Sequence, residues 1–398
     1  MNIKDTLTKI LLPSIALLPL LGLLPGTSNP TENSLVTDLS AFEISEPDIP
    51  DYMGRTSGRL TFNDHFEASE TPTGISRGII QESKEAFRGT KKILSRNQET
   101  RNYKVGDLHF ESGDLDRVVS ILEGAIDRPD FDPNESLQAY QISGKDNRGQ
   151  VYYTGYFAPV IAVSDKKEGV FQYPLYRFPS NWIGKMPTRE EIDGKQQMLE
   201  GLDLEIAYAR NPLDIYFMQV QGSGYIEFPD GRQELLSYEG ENDRRYRSIG
   251  KYMLEKNYTT PDRVSINSIK KFFKRNPDMV EEILFANPSY VFFKPGRKDV
   301  KGAGQVPLTK LHSIAVDPRY IPLGSVLLSK VPIANKKGEF THHEYRLLHA
   351  HDTGGAIKGP GRIDIYSGVG YQGKSLASDT HHFGELWLLL PKFLGNRP

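Results

Sequence analysis

The sequence predicts a mainly β protein, in which a barrel is interrupted by an inserted domain and flanked by a few helices. Glycine and proline are frequent, with 36 and 26 among 398 residues, and they favour short strands and turns over long helices. Strand patterns stand before and after a middle segment in which helical patterns return, and the sequence shows no internal repeat. The length is sufficient for two or three domains with cores of their own.

The N-terminus has the pattern of a secretory signal peptide, which we place at residues 1–28. Lys4 and Lys9 precede a run of 15 uncharged residues, Ile10–Leu24, and small residues follow at positions 26–28. Because a membrane-spanning helix needs about 20 residues, we expect cleavage, with an uncleaved N-terminal anchor as the alternative. The chain has no cysteine, which excludes disulfides, thiol catalysis and lipid attachment at a cysteine. We expect an exported protein of the periplasm or cell envelope that is not a lipoprotein.

Residues 29–75 are predicted to form an acidic flexible linker. Six acidic residues and no lysine or arginine occur between residues 31 and 52, and few large apolar residues interrupt them. The whole chain has a net charge of -2 and a pI near 6.5. Such a balance gives no polybasic footprint, so nucleic acid is not an expected partner.

Helices and strands follow in order along the rest of the chain. Helical patterns begin near Ser76 and recur at Leu115–Ile126, at Asp243–Asn257 and after Pro261. Strand patterns are found at Val151–Val163 and from residue 289 to the end. Ile215–Phe228 is predicted to form two strands joined through its glycines.

One segment matches the phosphate-binding loop G-x-x-x-x-G-K-[ST], through Gly368, Gly373, Lys374 and Ser375. In a nucleotide-binding fold this loop leads into a helix and then a sheet that supplies a magnesium ligand. Only 23 residues follow Ser375, and they are predicted to form a turn and one strand. We therefore expect a chance match, with no nucleotide bound.

A second pattern concerns metal binding. His349 and His351 are two apart on a predicted strand and so point to one face, where they could share an ion, whereas Asp352 has the opposite parity. The sequence contains no H-E-x-x-H spacing. The interpretation we favour is that these histidines are hydrogen-bonded or exposed at a strand end, with no metal site.

A third pattern is an aspartate in the strand RIDIY. Alternation places Ile363 and Ile365 on a core-facing side and Arg362, Asp364 and Tyr366 on the other. Partial burial of Asp364 would raise its pKa toward values that suit a general acid. The alternative is that Asp364 only caps or salt-bridges a strand end.

Seven segments, in this order, resemble the membrane-bound lytic murein transglycosylase A family. They cover roughly residues 105–398 and read YTGYFAPV, FQYPLYR, DIYFMQVQGSGYIEFPDG, YRSIGK, NPSYVFFK, HSIAVDPRYIPLGS and HDTGGAIKGPGRIDIYSG. The C-terminal part resembles the three-aspartate (3D) domain, whose aspartates would be Asp317, Asp352 and Asp364.

The resemblance implies a fold and a set of domains. The fold is a double-psi β-barrel built from discontinuous segments, with a smaller β-rich domain inserted and a groove for a glycan strand between the two. We expect the barrel to be the catalytic domain, formed by residues 76–160 and 289–398, and the insert to span residues 161–288.

The resemblance also implies the chemistry. Asp364 is the expected lone catalytic acid and Asp352 lies beside it. The expected reaction cleaves the bond between MurNAc and GlcNAc in peptidoglycan, with exo-type action and without a cofactor. The C6 hydroxyl of the sugar attacks C1 and forms a 1,6-anhydro ring, so no second protein nucleophile is needed. The residues that we expect to contact the substrate are Thr154, Tyr156, Gln221, Ser223, Tyr225, Lys358 and Asp317.

Two departures from the family pattern stand out. The family's best-known pattern begins with a lipidated cysteine, which this chain lacks, and the turn after Asp352 is one residue longer than usual. The alternative function is a non-catalytic glycan-binding or wall-loosening barrel, as in expansin-like proteins. The expected partners are peptidoglycan glycan strands, with proteins of wall synthesis or division as further candidates, and we expect a monomer.

Overall fold

The structure, a computed structural model, describes residues 65–69, 75–96, 100–128, 130–260, 266–296, 299–335, 338–354 and 357–393. The predicted signal peptide and most of the predicted linker lie outside these residues. The chain divides into two compact units. We call the described residues 159–296 the insert unit, and those before and after it the barrel unit.

The barrel unit is built on six strands that close into a ring. Its strands are β1 (Phe66–Ser69), β2 (Asn102–Val105), β3 (Leu108–Glu111), β4 (Leu137–Ile142), β5 (Val151–Ala158), β12 (Ser313–Val316), β13 (Val326–Ala334), β14 (Phe340–Thr353), β15 (Arg362–Val369) and β16 (His381–Pro391). The ring runs β5–β15–β12–β14–β13–β16, and β16 pairs again with β5. Two neighbouring pairs, β5 with β15 and β12 with β14, are parallel.

This ring confirms the predicted fold class. One barrel strand precedes the insert unit and five follow it, so the barrel is made of discontinuous segments. The inward side chains form one apolar core, which includes Ile314, Ile363 and Ile365 and continues into the helices that cover the barrel. Those helices are α1 (Arg77–Glu82), α2 (Lys84–Ser95), α3 (Ser112–Asp127) and α9 (Gly370–Asp379).

The insert unit contains a six-stranded sheet with the order β11–β10–β9–β6–β8–β7. Its strands are β6 (Val160–Ser164), β7 (Tyr173–Tyr176), β8 (Glu205–Ala209), β9 (Ser223–Glu227), β10 (Gln233–Glu241) and β11 (Val291–Pro295). Its helices are α4 (Arg189–Asp193), α5 (Pro212–Gln221), α6 (Ile249–Glu255), α7 (Ile266–Arg275) and α8 (Val280–Phe285). None of the helices in the described ranges is long and apolar enough to cross a membrane.

One predicted strand is wrong. The first half of Ile215–Phe228 belongs to helix α5, and only the second half forms a strand, β9. Asn211 caps the helix by accepting a hydrogen bond from the Leu213 N–H, and Pro212 occupies the first turn. Gly222, with a φ of 73°, ends the helix in the left-handed conformation that glycine adopts without strain. These terminal signals prevail over the β-branched and aromatic residues between them.

A second difference lies at the end of the predicted linker. Phe66–Ser69 forms strand β1, which pairs antiparallel with β4 from Phe66↔Ile142 to Ser69↔Ala139. The side chain of Phe66 is buried in the barrel core. The sheet edge thus orders a segment that has little apolar surface of its own.

Candidate active site

Two of the three aspartates flank one residue of a central strand. Ala315 of β12 lies opposite Asp352 of β14 on one side and opposite Asp364 of β15 on the other. On the far side of β15, Asp364 lies opposite Thr154 of β5. Residues opposite each other in neighbouring strands project to the same face of a sheet. The barrel therefore presents Asp352, Asp364 and Thr154 in one row, on the face away from Ile363 and Ile365.

A β-bulge brings Asp352 to that face. Ile314 is paired with Ala350 and the next residue, Ala315, with Asp352, so His351 is an extra residue in β14. A shift of one residue reverses the face to which a side chain points. Strict alternation would turn the Asp352 side chain to the face opposite Asp364. The extra residue at the bulge instead places both side chains on the same face.

The Asp352 carboxylate is fully buried and is held by three donors. Its Oδ1 accepts hydrogen bonds from the N–H groups of Ala303 (2.7 Å) and Thr353 (2.8 Å), and its Oδ2 accepts one from the Tyr156 hydroxyl (2.8 Å). Burial raises the pKa of Asp352 to about 7, although the three hydrogen bonds act in the opposite direction. Burial thus favours the protonated form of this carboxyl group relative to an exposed aspartate.

Tyr156 is close to both carboxyl groups. Its pKa is raised well above 10, first by burial and then by the charges of Asp352 and, more weakly, Asp364. Its ring also packs against that of Tyr366, with 5.4 Å between the centroids. The Tyr156 hydroxyl is thus hydrogen-bonded to Asp352 and also within electrostatic range of Asp364.

Asp364 itself is 1% exposed. Arg362 and Tyr366, which alternation places on the same face as Asp364, are buried too, whereas only partial burial of this face was expected. Thr154, opposite Asp364, is 3% exposed and its Oγ1 donates to the Ile363 carbonyl (3.4 Å). Asp364 thus sits among polar and aromatic side chains outside the apolar barrel core.

The third aspartate, Asp317, has a different environment. Its carboxylate accepts hydrogen bonds from Arg319 Nε (2.9 Å) and Nη2 (2.5 Å), and from the Gly359 N–H (2.9 Å). Burial would raise the pKa of Asp317, but the Arg319 guanidinium and the Gly359 N–H lower it below its ordinary value. Asp317 therefore ties the end of β12 to the segment that connects Asp352 with Asp364.

The remaining predicted substrate residues are divided between the units. Lys358 is exposed, in the segment before β15. Gln221, Ser223 and Tyr225 belong to the insert unit, at the end of α5 and in β9. Gln221 is 3% exposed, and neither polar atom of its amide has a hydrogen-bond partner among the described residues. Such buried amides are uncommon in proteins.

The two strand histidines form a buried hydrogen-bonded chain with a threonine of α2. Thr90 Oγ1 lies 2.8 Å from His349 Nδ1 and 2.9 Å from His351 Nε2, and His351 Nδ1 lies 2.8 Å from Ser313 Oγ. Burial lowers the pKa of His351 to about 3 and that of His349 well below 6.5. Both rings are therefore neutral. Within the described ranges, no group of three His, Asp or Glu side chains is placed to hold a metal ion.

The residues of the phosphate-loop match lie in a helix. Strand β15 continues to Val369, and α9 begins directly at Gly370 and runs to Asp379, through the residues after Ser375 where the sequence predicts a turn. Gly373, Lys374 and Ser375 are therefore inside the helix and do not form a loop before it. Helix propensity is modest here because of Gly373 and two serines, but Gly373 and Ala377 are buried, so packing of the helix on the barrel explains the difference.

Sequence reasoning missed the glycine-rich segment KGAGQ that supports Asp352. A Cβ atom on Gly302 would lie 2.8 Å from Cβ and Cγ of Asp352, so only glycine allows this approach. The next residue, Ala303, supplies one of the three donors to the carboxylate. The signal available was the pair of glycines two apart, Gly302 and Gly304, ahead of the segment HSIAVDPRYIPLGS.

Comparison with known proteins places these features in a family. Residues 152–294 match the MltA specific insert domain and residues 312–390 match the 3D domain. The membrane-bound lytic murein transglycosylases A of Vibrio cholerae and of Escherichia coli strain K12 are each 40% identical over 257 residues, which cover 64% of this chain and 69% of each relative.

Solved structures show the same similarity. The crystal structure of Escherichia coli MltA with bound chitohexaose has a TM-score of 0.71 and 32% identity, and the match covers 86% of this chain and 99% of that one. A membrane-bound lytic murein transglycosylase from Agrobacterium tumefaciens has a TM-score of 0.66 and 26% identity over 82% of this chain and 98% of that one. The resemblance seen in the sequence is thus confirmed, and the chain belongs to the membrane-bound lytic murein transglycosylase A family.

Proposed function

We propose that this protein is a peptidoglycan lytic transglycosylase that cleaves between MurNAc and GlcNAc with Asp364 as its acid. The observation that carries the proposal is the row of Asp352, Asp364 and Thr154 on one face of the barrel. Family membership supports it, because the relatives are named lytic murein transglycosylases. The chitohexaose bound to the Escherichia coli protein supports a glycan as the ligand class.

In the proposed reaction Asp364 acts twice. The protonated carboxyl gives its proton to the glycosidic oxygen as the bond from C1 of MurNAc to that oxygen breaks. The C6 hydroxyl of the same sugar then attacks C1, and the Asp364 carboxylate accepts the hydroxyl proton. The products are a 1,6-anhydro-MurNAc end and a free GlcNAc end, and water is not consumed. Intramolecular attack has a large effective molarity, so one carboxyl group suffices.

Asp352 and Tyr156 are proposed to set the electrostatics around Asp364. Asp352 lies on the same face as Asp364, and its ionised form places a negative charge there. A nearby negative charge favours the protonated form of a carboxyl group, which a general acid requires. The Tyr156 hydroxyl fixes the position of Asp352, and we assign Tyr156 this role in addition to the predicted sugar contact.

The sugar contacts remain a proposal. We assign them to Thr154 in the barrel unit and to Gln221, Ser223 and Tyr225 in the insert unit, with Lys358 beside the segment that Asp317 anchors. The unpartnered amide of Gln221 supports its assignment, since an N-acetyl group offers both a donor and an acceptor. Because Asp364 is 1% exposed, a glycan reaches it only after the groups that cover it move.

The proposal extends to the domains, the action and the location. The barrel unit would be the catalytic domain and the insert unit would bind the glycan, with exo-type release of products. The protein would act in the cell envelope after export, as a monomer. Proteins of wall synthesis or division are the further partners to be sought.

Two isosteric variants test the assignment of the acid. Asp364→Asn removes only the ionisable proton, so turnover of purified sacculi should fall by about a thousandfold or more, while folding and glycan binding persist. Asp352→Asn should reduce turnover less than Asp364→Asn does. Turnover of Asp364→Asn within a few-fold of wild type, with an unchanged circular dichroism spectrum, would refute the role of Asp364. Glycan binding without turnover in the wild type would favour a non-catalytic barrel.

A further inference from the structure

The insert unit contains a cavity beside α6 whose lining side chains carry a net positive charge. Its volume is about 410 Å³. Three cationic side chains line it, those of Arg245, Arg247 and Lys251, together with one carboxylate, Glu255. Ala286 and Pro288 supply an apolar part of the wall. The segment that carries the cations, YRSIGK with the arginine before it, has no role in the proposed reaction.

The charges in this cavity do not balance. Arg247 Nη2 and Glu255 Oε2 are 2.6 Å apart and neutralise each other. Within the described residues no carboxylate lies within ion-pairing distance of Arg245 or Lys251, so two positive charges remain. Two uncompensated charges at one concave site give a positive local potential, which attracts anions.

The backbone around Arg245 is held in place. The preceding side chain, Arg244, donates from Nε to the Met186 carbonyl (3.0 Å). Two positions later, the Arg247 N–H donates to Asn287 Oδ1 (3.0 Å), and Asn287 is buried between Ala286 and Pro288. The backbone that carries the exposed Arg245 and Arg247 side chains is therefore held next to the apolar wall, and an ordered backbone reduces the entropy lost on binding.

We propose that this cavity binds the peptide that substitutes the glycan strands of peptidoglycan, through the carboxylates of that peptide. The proposal rests on the proposed function, which names peptidoglycan as the substrate. A guanidinium matches a carboxylate with two parallel hydrogen bonds, and an ammonium adds a point charge. Ala286 and Pro288 match the methyl groups of the alanines in such peptides. The cavity would thus distinguish peptide-bearing strands from naked ones.

The test uses the full chain with the double variant Arg245→Gln/Lys251→Gln. Its matched control is Lys271→Gln/Lys274→Gln, which removes the same charge from exposed positions of α7. Binding of the soluble stem tetrapeptide is measured by calorimetry. Turnover is measured on two forms of the polymer: intact sacculi, and glycan strands from which an amidase has removed the peptide.

The wild type should bind the tetrapeptide, and the double variant should bind it roughly tenfold or more weakly, which is the effect of about 1.4 kcal/mol. On intact sacculi the KM of the double variant should rise by a similar factor, while its KM on stripped strands stays within about twofold of wild type. The KM of the control variant should stay within about twofold of wild type on both polymers.

Three results would overturn the proposal: no binding of the tetrapeptide to the wild type, an equal rise of KM on both polymers, or inorganic phosphate binding as tightly as the tetrapeptide, which would indicate a general anion site. The calorimetry does not depend on turnover. If the wild type forms no anhydro product but binds the tetrapeptide through Arg245 and Lys251, the proposed function fails and the peptide site stands.

Discussion

Asp352 and Asp364 lie opposite the same residue, Ala315, from the two strands that flank β12. Two strand spacings, roughly 10 Å, therefore separate their backbones, and their side chains share one face. The Tyr156 hydroxyl donates to Asp352, and the charges of both Asp352 and Asp364 raise its pKa. Each component of this arrangement can be tested separately.

Tyr156→Phe removes one hydrogen bond to Asp352 and little else. That bond lowers the pKa of Asp352, which burial raises to about 7. Its loss should therefore raise the pKa by roughly one further unit. The measurement is an NMR titration of protein with ¹³C-labelled aspartate.

Tyr153→Phe is the matched control for this titration. Tyr153 is on the same strand but faces the other way, and its hydroxyl contacts Ser329 Oγ and the Glu385 carbonyl. The Tyr153→Phe variant should leave the pKa of Asp352 unchanged. An unchanged or lower pKa in Tyr156→Phe would show that the hydroxyl does not govern the Asp352 carboxyl.

Asp352→Asn should alter the pH dependence of stability. The pKa of Asp352 is about 7 in the fold against 3.8 as an ordinary value, so the folded state holds the proton more tightly. The wild type therefore loses stability as the pH rises from about 4 to 7, by an amount on the order of 4 kcal/mol. The variant lacks this loss, so its stability relative to wild type should increase with pH. Denaturant unfolding at several pH values measures it.

Asp317→Asn should change the pH dependence of stability in the opposite direction. The pKa of Asp317 is lowered in the fold, so its contribution is present above the ordinary pKa and is lost on acidification. The variant should be less stable than wild type at pH 7, and the difference should shrink as the pH falls. Parallel curves for Asp352→Asn and wild type between pH 4 and 8 would contradict the buried, near-neutral carboxyl.

Thr90→Val tests the hydrogen-bonded histidine chain behind the bulge. Thr90 Oγ1 is the common hydrogen-bond partner of His349 Nδ1 and His351 Nε2, and Ser313 Oγ is the partner of His351 Nδ1. Valine leaves one nitrogen of each ring without a partner. The free energy of unfolding should fall by on the order of 2–5 kcal/mol.

The control for this variant is Thr341→Val, on β14, the strand that carries the two histidines. Thr341 is exposed and donates to the Ile333 carbonyl (2.9 Å). The expected change is within about 0.5 kcal/mol. If the two variants lost the same stability, the buried chain would have no special role in holding α2 on β14.

The sequence predicted the face of Asp364 but not that of Asp352. Alternation in RIDIY correctly separates Ile363 and Ile365, which are in the core, from Asp364. Asp352 depends on the bulge at His351, and a bulge is a property of the pairing between β14 and β12. The sequence of one strand does not show how it pairs with its neighbour, so alternation alone places the Asp352 side chain on the wrong face of β14.

The helix α5 was missed for a related reason. Its residues are β-branched and aromatic because the helix is buried nearly all round, between the sheet and the apolar cluster of the insert unit. Such a helix lacks the amphipathic pattern that identifies surface helices. The decisive signals were Asn211-Pro212 before it and Gly222 after it, at its two ends.

The central claim is that the C6 hydroxyl of the substrate, and not water, attacks C1 under the control of Asp364. Digestion of sacculi in ¹⁸O-water, followed by mass spectrometry of the released muropeptides, separates the two routes. Attack by the hydroxyl gives products about 18 mass units lighter than hydrolysis, since no water is added, and these products carry no label. Labelled reducing-end MurNAc as the main product would contradict the account.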